Sequence, residues 1–288
     1  MTKKLYPAML TPLTEGGAAV DESVFGPMID FLLAGGASGV FVCGTTGEGI
    51  NLTFSERGVV LRAAKRALAG RGEVIVHCGA QTTRDTEALA ADAAEGGAHG
   101  VAVIPPPYFM LQDDELTTHL VAAARASGGL PFYIYCFAAR SGYPVPIDVV
   151  RRVREAAPNL AGLKVSEPRL EDLRAYQAVG LPVFVGNEPL IADACESGEI
   201  AGSVSALASV YPEAVRGLLD DPTPERAATV RSLRAAISHQ QVPATAKALL
   251  ARRGIPIHPA TRPPIRPVTP EEATAAEHRA AEFLPTTV

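Results

Sequence analysis

Eight short apolar runs, separated by longer amphipathic stretches, constrain the fold of this chain more than any other feature. The runs lack a strict alternation of apolar and polar residues, which is typical of β-strands that are covered on both faces. They occupy residues 6–10, 39–43, 74–78, 100–104, 132–136, 161–165, 183–185 and 202–205.

The stretches between the runs carry helical patterns, several of which end at glycine pairs that suit a helix stop. The predicted helices span residues 21–33, 55–68, 83–94, 114–126, 147–157, 169–178 and 189–197. Strands that alternate with helices predict a parallel sheet of the α/β class, and eight such units close most simply into a (β/α)8, or TIM, barrel. An open doubly wound sheet is the alternative, but it usually has fewer strands and a Gly-rich nucleotide turn.

Beyond residue 211 the pattern becomes helical. Helices are predicted at residues 212–219, 224–238, 244–252 and 270–283, with a proline-rich connector at 255–267 that we expect to be ordered. The chain therefore divides into a barrel at residues 1–220 and a C-terminal helical region at residues 221–288 that packs on the barrel. Its 288 residues suffice for a barrel of about 250 residues with an extension. We expect residues 284–288 to fray.

Composition and charge argue against several classes of protein. The net charge is −5 without a basic block, which predicts no nucleic-acid partner. No run of about 18 apolar residues predicts a membrane span, and the first residues lack the apolar segment of a secretion signal. Cys43, Cys78, Cys136 and Cys195 are scattered without a CxxC pair, which favours reduced thiols and a cytoplasmic location.

Lys164 closes the sixth apolar run, at the strand end where barrel enzymes place their active sites. Burial disfavours a charged ammonium group and lowers its pKa. A neutral, desolvated lysine is a nucleophile toward carbonyl carbon and forms Schiff bases. The alternative is a strand-end lysine whose ammonium group reaches water.

Two other strand ends, those of the second and fifth strands, offer polar partners. Residues 44–48, with the sequence GTTGE, combine two glycines and two threonines in a turn that suits a carboxylate, although an ordinary strand–helix turn is the alternative. Tyr135 ends the fifth strand, where a phenol can relay protons or simply pack in the core. The planar guanidinium group of Arg140 can bind a second carboxylate through two hydrogen bonds, although a surface arginine is the alternative.

Tyr108 lies in a proline-stiffened loop after the fourth strand, where it is either functional or a packed aromatic. The six histidines show no metal-ligand spacing, and we interpret most of them as surface or packing residues. No metal site is predicted, and no Ser/His/Asp arrangement is evident.

Taken in order, these segments resemble the dihydrodipicolinate synthase / N-acetylneuraminate lyase family of pyruvate-handling Schiff-base enzymes on (β/α)8 barrels. The resemblance covers nearly the whole chain, from residues 9–12 (MLTP) to 262–270 (RPPIRPVTP), and GTTGE at 44–48 is its most specific motif. It implies that Lys164 forms the Schiff base with pyruvate or another 2-keto acid and that Tyr135 shuttles protons to and from the adduct.

The resemblance also implies supporting roles. Thr45 links Tyr135 toward bulk water, and Tyr108 completes this relay from across a dimer interface. Thr46, with backbone N–H groups of the same turn, holds the keto-acid carboxylate. The backbone of Gly186 and Val204 lines the site beside the lysine.

Arg140 matches the arginine that receives the carboxylate of aspartate semialdehyde in the synthase branch. The resemblance implies no metal or organic cofactor, because the lysine itself is the electrophilic catalyst. It also implies a homo-oligomer, either a dimer or a tetramer.

Some segments depart from the family pattern. The tyrosine strand continues Cys136-Phe137-Ala138 where the family usually has Asn-x-Pro, and Val165 follows the lysine where an acidic residue is frequent. Residues 202–210 look closer to the 4-hydroxy-2-oxoglutarate aldolase branch. We therefore predict an enzyme that condenses a 2-keto acid with an aldehyde, most like 4-hydroxy-tetrahydrodipicolinate synthase. The alternatives are an aldolase for 4-hydroxy-2-oxoglutarate or a 2-keto-3-deoxy sugar acid, and a non-catalytic keto-acid-binding barrel.

Overall fold

A computed structural model describes residues 2–283 and shows a barrel of eight parallel strands. The strands are β1 Lys4–Pro7, β2 Gly39–Val42, β3 Glu73–His77, β4 Gly100–Val103, β5 Phe132–Cys136, β6 Leu160–Val165, β7 Val183–Val185 and β8 Gly202–Ser205. Each strand from β2 to β8 pairs with its neighbour in sequence, and β1 pairs with β8. An isolated β-bridge between Ala8 and Phe41 joins the remaining neighbours, β1 and β2, and closes the barrel. The predicted barrel is confirmed, and the open sheet is excluded.

Helices surround the barrel and follow the strands in the predicted rhythm. They are α1 Phe25–Ala34, α2 Phe54–Leu68, α3 Thr83–Glu95, α4 Asp113–Ala126, α5 Ala138–Ser141, α6 Ile147–Ala156, α7 Leu170–Gln177, α8 Ile191–Ser197, α9 Pro212–Asp220, α10 Pro224–Ile237, α11 Val242–Arg252 and α12 Pro270–Ala281. Capping boxes start α2 at Thr53 and α12 at Thr269, which satisfies the free N–H groups of the first turn. None of the helices within residues 2–283 is both long and apolar enough to cross a lipid bilayer.

Several helix boundaries differ from the prediction. The segment predicted as one helix at 21–33 begins with a 3-10 turn at Glu22–Val24, because the Asp21 side chain accepts a hydrogen bond from Ser23 N and tightens the start. The segment at 189–197 likewise starts in a 3-10 turn, Glu188–Leu190, before α8. The single turn α5 was not predicted, α12 ends at Ala281 rather than 283, and residues 284–288 lie outside the described residues.

Side chains that point into the barrel form a small inner core, separate from the larger core between strands and helices. The inner core contains Tyr6, Ala8, Phe41, Ile75, Ala102, Phe184 and Val204. Because side chains alternate along a strand, inward-facing Ile75 places His77 on the same inner face. Leu163 packs in the outer core, so its neighbour Lys164 points inward. The strand ends therefore direct these polar groups toward the mouth of the barrel.

Helix α9 packs on β1 and β8 as the eighth barrel helix. Two ion pairs with buried glutamates join the C-terminal helices that follow to the barrel. Arg234 on α10 donates from Nε to Glu188 at 3.0 Å, and Lys247 on α11 donates to Glu48 at 2.6 Å. The division of the chain at residue 220 stays a prediction.

Candidate active site

A cavity of about 480 Å³ opens at the C-terminal ends of the strands. Seven of the eight predicted site residues line it, and Tyr108 is the exception. Residues of the C-terminal region, including Arg234, Val242 and Ile265, complete its wall. Segments separated by more than 200 residues in sequence therefore enclose one chamber.

Lys164 is the most unusual group in this cavity. Its side chain is buried, with 5% of the residue exposed, and it has neither a hydrogen bond nor an ion pair within residues 2–283. Its Nζ lies 3.7 Å from the centre of the Tyr135 ring and 4.1 Å from the centre of the Phe41 ring. Burial lowers the pKa of Lys164 to about 7, although the negative charge of Glu188 acts in the opposite direction. A substantial fraction of the amine is therefore neutral near pH 7.

Tyr135 is buried beside this amine. Its hydroxyl oxygen lies 3.4 Å from Thr45 Oγ1, and burial raises the pKa of Tyr135 although hydrogen bonds with Thr45 and Ser166 act to lower it. The phenol therefore carries its proton at neutral pH. Because Thr45 is exposed, the phenol and this hydroxyl form a short path from the amine to solvent.

The turn at residues 44–48 is held in an uncommon backbone conformation. Cys43 and Glu48 both have left-handed φ angles, of 58° and 54°. A side chain at Gly49 would place its Cβ 1.7 Å from the Cys43 carbonyl oxygen, so only glycine fits there. Thr11 Oγ1 donates to the Gly47 carbonyl at 2.6 Å and fixes the turn from below. The result is a rigid rim that presents Thr46 to the cavity.

Gly186 and Val204 form the wall beside the lysine, where the sequence predicted them. A Cβ at Gly186 would lie 2.0 Å from Ser166 Oγ, so glycine keeps this wall open. Arg140 lies on α5 at the cavity mouth, with its guanidinium carbon 5.8 Å from the centre of the Phe137 ring. It forms no salt bridge within the described residues and so offers a positive charge to an anionic group.

Tyr108 lies on the surface of its own chain, with 87% of the residue exposed. Its φ angle is 83°, and its ring packs edge-on against Phe109 at 4.9 Å. Phe109 and Met110 are also exposed, so these three side chains form an apolar surface patch. Tyr108 does not enter the cavity of its own subunit.

Sequence reasoning did not single out Glu188 or His77. Glu188, 1% exposed, accepts hydrogen bonds from Ser205 Oγ, Leu207 N and Arg234 Nε at 2.8, 2.9 and 3.0 Å. His77, unlike Glu188, lines the cavity, although most histidines were interpreted as surface or packing residues. Its position two residues after inward-facing Ile75 could have identified it. Within residues 2–283, no group of three or more His, Cys, Asp or Glu side chains could hold a metal ion.

A family model described as the dihydrodipicolinate synthetase family matches residues 1–282. The chain belongs to this family. A 4-hydroxy-tetrahydrodipicolinate synthase of Streptomyces coelicolor is 32% identical over 269 residues, which cover 90% of this chain and 87% of that protein. The N-acetylneuraminate lyase of Rattus norvegicus is 33% identical over 219 residues, which cover 72% of this chain and 66% of that protein.

Solved structures share the fold. A prophage protein of the dihydrodipicolinic acid synthase family from E. coli K12, crystallised with pyruvate, has a TM-score of 0.92 at 22% identity, and the match covers 98% of each chain. Together, the family and its named relatives show that the chain is a lyase of the Schiff-base, pyruvate-dependent type. A relative named as a synthase and one named as a lyase are thus similar to this chain to nearly the same degree, at 32% and 33% identity.

Proposed function

We propose that this enzyme binds a 2-keto acid as a Schiff base on Lys164 and joins it to an aldehyde, or cleaves the corresponding aldol. The observation that carries this proposal is a buried lysine that has no polar partner within residues 2–283 and lies beside a protonated tyrosine. A keto-acid-binding protein without catalysis, the third possibility raised by the sequence, has no need for a deprotonatable lysine in its cavity.

The chemistry follows from these two side chains. The neutral amine of Lys164 adds to the ketone carbon, and protonation of the resulting hydroxyl, which leaves as water, gives an iminium ion. Loss of a proton from the adjacent carbon gives an enamine, whose carbon attacks the aldehyde carbon. The new alkoxide takes up a proton, and water then hydrolyses the iminium to release the product. Tyr135 is positioned to carry protons in these steps, since its hydroxyl connects to exposed Thr45.

The rim at residues 44–48 supports the keto-acid end of the substrate. Thr46 and the backbone N–H groups of this turn suit a carboxylate, because hydroxyl and amide groups donate hydrogen bonds to anions. Gly186 and Val204 leave room beside the Schiff base. No metal or organic cofactor enters the proposed reaction.

Arg140 favours an aldehyde that carries its own carboxylate, since its guanidinium group has no ionic partner within the described residues. The leading substrate is aspartate semialdehyde, which the resemblance of Arg140 to the arginine of the synthase branch implies. The second candidate function is that of an aldolase for 4-hydroxy-2-oxoglutarate or a 2-keto-3-deoxy sugar acid. The sequence of residues 202–210 favours this function, because it looks closer to the 4-hydroxy-2-oxoglutarate aldolase branch.

Assays with purified enzyme distinguish these candidates. Condensation of pyruvate with aspartate semialdehyde and cleavage of 4-hydroxy-2-oxoglutarate are measured side by side for the wild type and Arg140→Ala. We expect the substitution to raise the KM of the carboxylate-bearing aldehyde by about 10- to 100-fold and to leave the KM of pyruvate nearly unchanged. An equal rise in KM for the aldehyde and for pyruvate would assign Arg140 a structural role. If the wild type catalysed neither the condensation nor the cleavage, both candidate functions would be excluded.

The exposed patch of Tyr108, Phe109 and Met110 supports assembly into a dimer or tetramer, in which Tyr108 reaches the cavity of a partner subunit. Sedimentation of the active enzyme tests this proposal. We expect no monomer at assay concentrations, and a fully active monomer would contradict it. Cys43, Cys78 and Cys136 are buried and form no disulfide, which supports a cytoplasmic location.

A further inference from the structure

The buried carboxylate of Glu167 has no part in the mechanism above. Glu167 lies just beyond the end of β6, in the segment that follows Lys164, and 5% of the residue is exposed. Its Oε1 accepts a hydrogen bond from Ala138 N at 2.9 Å, and Ala138 is its only hydrogen-bond donor among residues 2–283. A buried carboxylate is costly without a donor, so this single contact defines what the side chain does.

The contact lies at the start of the turn that carries Arg140. Ala138 is the first residue of α5, which is only four residues long. A single helical turn is unstable by itself, because few hydrogen bonds offset the conformational entropy that it loses. At the end of this turn, the buried Ser141 hydroxyl donates to the Tyr143 carbonyl at 2.6 Å. Glu167 supplies the corresponding external contact at its start.

The segment that carries Glu167 is itself fixed to the strands on both sides. Ser166 N donates to the Cys136 carbonyl at 2.9 Å, which joins the segment to the end of β5. Asn187 Nδ2 donates to the Glu167 carbonyl at 3.3 Å, which joins it to the loop beyond β7. The Glu167 side chain therefore extends toward α5 from a rigid base.

A departure in the sequence accounts for this contact. Residue 138 is alanine where the family pattern has proline, which carries no N–H group. Alanine adds a backbone donor at a half-buried position, and such a donor needs an acceptor. Burial raises the pKa of Glu167, while the hydrogen bond from Ala138 N acts to lower it. The donor and the carboxylate therefore stabilise each other.

We propose that Glu167 is a positioning residue, which holds α5 so that Arg140 can bind the carboxylate of the aldehyde. Arg140 is exposed and forms no salt bridge within the described chain, so its place at the cavity mouth depends on the turn that carries it. This inference rests on the proposed function, because it requires Arg140 to bind the aldehyde. Glu167 should therefore affect the aldehyde but not the keto acid.

A double-mutant cycle between Glu167 and Arg140 tests this role. Glu167→Met removes the acceptor, whereas Glu167→Gln keeps a side-chain oxygen that can accept from Ala138 N. Glu171→Met is the matched control, since it makes the same change at an exposed glutamate on α7. If Glu167→Met fails to fold, Glu167→Asp replaces it, because the shorter side chain withdraws the carboxylate from Ala138 N.

KM and kcat are measured for pyruvate and for the aldehyde that the wild type condenses with it, either aspartate semialdehyde or glyoxylate. Both aldehydes carry a carboxylate, so the test applies to the synthase and to the 4-hydroxy-2-oxoglutarate aldolase. Borohydride trapping of pyruvate and hydrogen exchange of the amides at residues 138–142 are measured on each protein.

We expect Glu167→Met to raise the KM of the aldehyde about 5- to 30-fold and to leave the KM and the trapping of pyruvate unchanged. Amide exchange at residues 138–142 should accelerate in this variant. Glu167→Gln and Glu171→Met should behave like the wild type. Because Glu167 acts through Arg140, the double variant Glu167→Met/Arg140→Ala should have the same aldehyde KM as Arg140→Ala.

Three results would overturn the role of Glu167 alone: an unchanged aldehyde KM in Glu167→Met, an equal rise in both KM values, or effects that multiply in the double variant. Unchanged amide exchange in Glu167→Met would overturn it as well. If Arg140→Ala leaves the aldehyde KM unchanged, or the wild type traps no pyruvate or condenses it with neither aldehyde, the proposed function fails and this inference fails with it.

Discussion

Two buried lysines in this protein have opposite surroundings. Lys247 is fully buried on α11, where its ammonium group donates to Glu48 Oε1 at 2.6 Å and to the Ala260 carbonyl at 2.7 Å. Lys164 is buried at the end of β6 between two aromatic rings and has no hydrogen-bond or ionic partner in the described chain. Burial lowers the pKa of both lysines, but only at Lys247 does an adjacent carboxylate strongly oppose the shift.

The difference shows what burial does to a lysine in each case. A paired ammonium group stays charged and fixes structure, and here Glu48 also accepts a hydrogen bond from Arg262 N at 2.7 Å, which anchors the connector to the rim at residues 44–48. A buried lysine without a partner loses its proton more readily, and its neutral form is a nucleophile. One region therefore supports the site, and the other supplies its chemistry.

Lys164→Met is expected to give the largest difference between an effect on turnover and an effect on stability. This substitution removes the nucleophile, so turnover should fall by about 10⁴-fold or more. The free energy of unfolding should be maintained, because the substitution breaks no hydrogen bond and removes a polar group from an apolar environment. Steady-state kinetics and urea denaturation measure both quantities. A large loss of stability would mean that Lys164, like Lys247, is a structural residue.

Tyr135→Phe tests whether a second residue of the cavity also acts on turnover rather than on stability. Loss of the hydroxyl next to Thr45 should slow turnover by about 10²- to 10⁴-fold, as expected for a general acid–base group, while the fold remains intact. Single-turnover kinetics with circular dichroism as a folding control provide the measurement. Unchanged turnover would remove Tyr135 from the mechanism.

Lys247→Met should have its main effect on stability, in contrast to Lys164→Met, whose main effect is expected on turnover. It leaves Glu48 buried without its cation, which is expected to cost about 3–5 kcal/mol of folding free energy. Urea denaturation measures this loss, and combining Lys247→Met with Glu48→Gln should recover part of it because the unpaired charge is gone. A single variant as stable as the wild type would show that the ion pair is dispensable.

The pH dependence of adduct formation gives the smallest effect. The reactive form of Lys164 is the neutral amine, so its fraction rises with pH through the pKa of about 7. The rate of pyruvate trapping should therefore increase about tenfold per pH unit below 7 and level off above it. A rate that keeps rising up to pH 10 would show an ordinary lysine, with no effect of burial on its pKa.

Much of the fold could be predicted because strand and helix patterns are local. The eight apolar runs, the barrel and the placement of Lys164 and Tyr135 at strand ends all follow from short segments read in order. The 3-10 starts of two helices and the extra turn α5 could not be predicted, since they depend on single side-chain caps and loop contacts rather than on periodicity.

The parts of the site that escaped prediction depend on distant contacts. Glu48 and Lys247 are 199 residues apart, and Glu188 meets Arg234 only because α10 packs over the barrel mouth. His77 is different, since strand alternation alone directs it inward. The catalytic and binding roles of the eight predicted residues stay predictions, although the structure brings all but Tyr108 together in one subunit.

The central claim, that Lys164 is the Schiff-base lysine, is tested most directly by borohydride reduction in the presence of pyruvate, followed by peptide mass mapping. Reduction converts the imine to a stable secondary amine and marks the lysine that formed it. We predict one pyruvate-derived mass gain per subunit, located on the peptide that contains Lys164 and absent from Lys164→Met. A gain on another lysine, or an equal gain in Lys164→Met, would contradict the assignment.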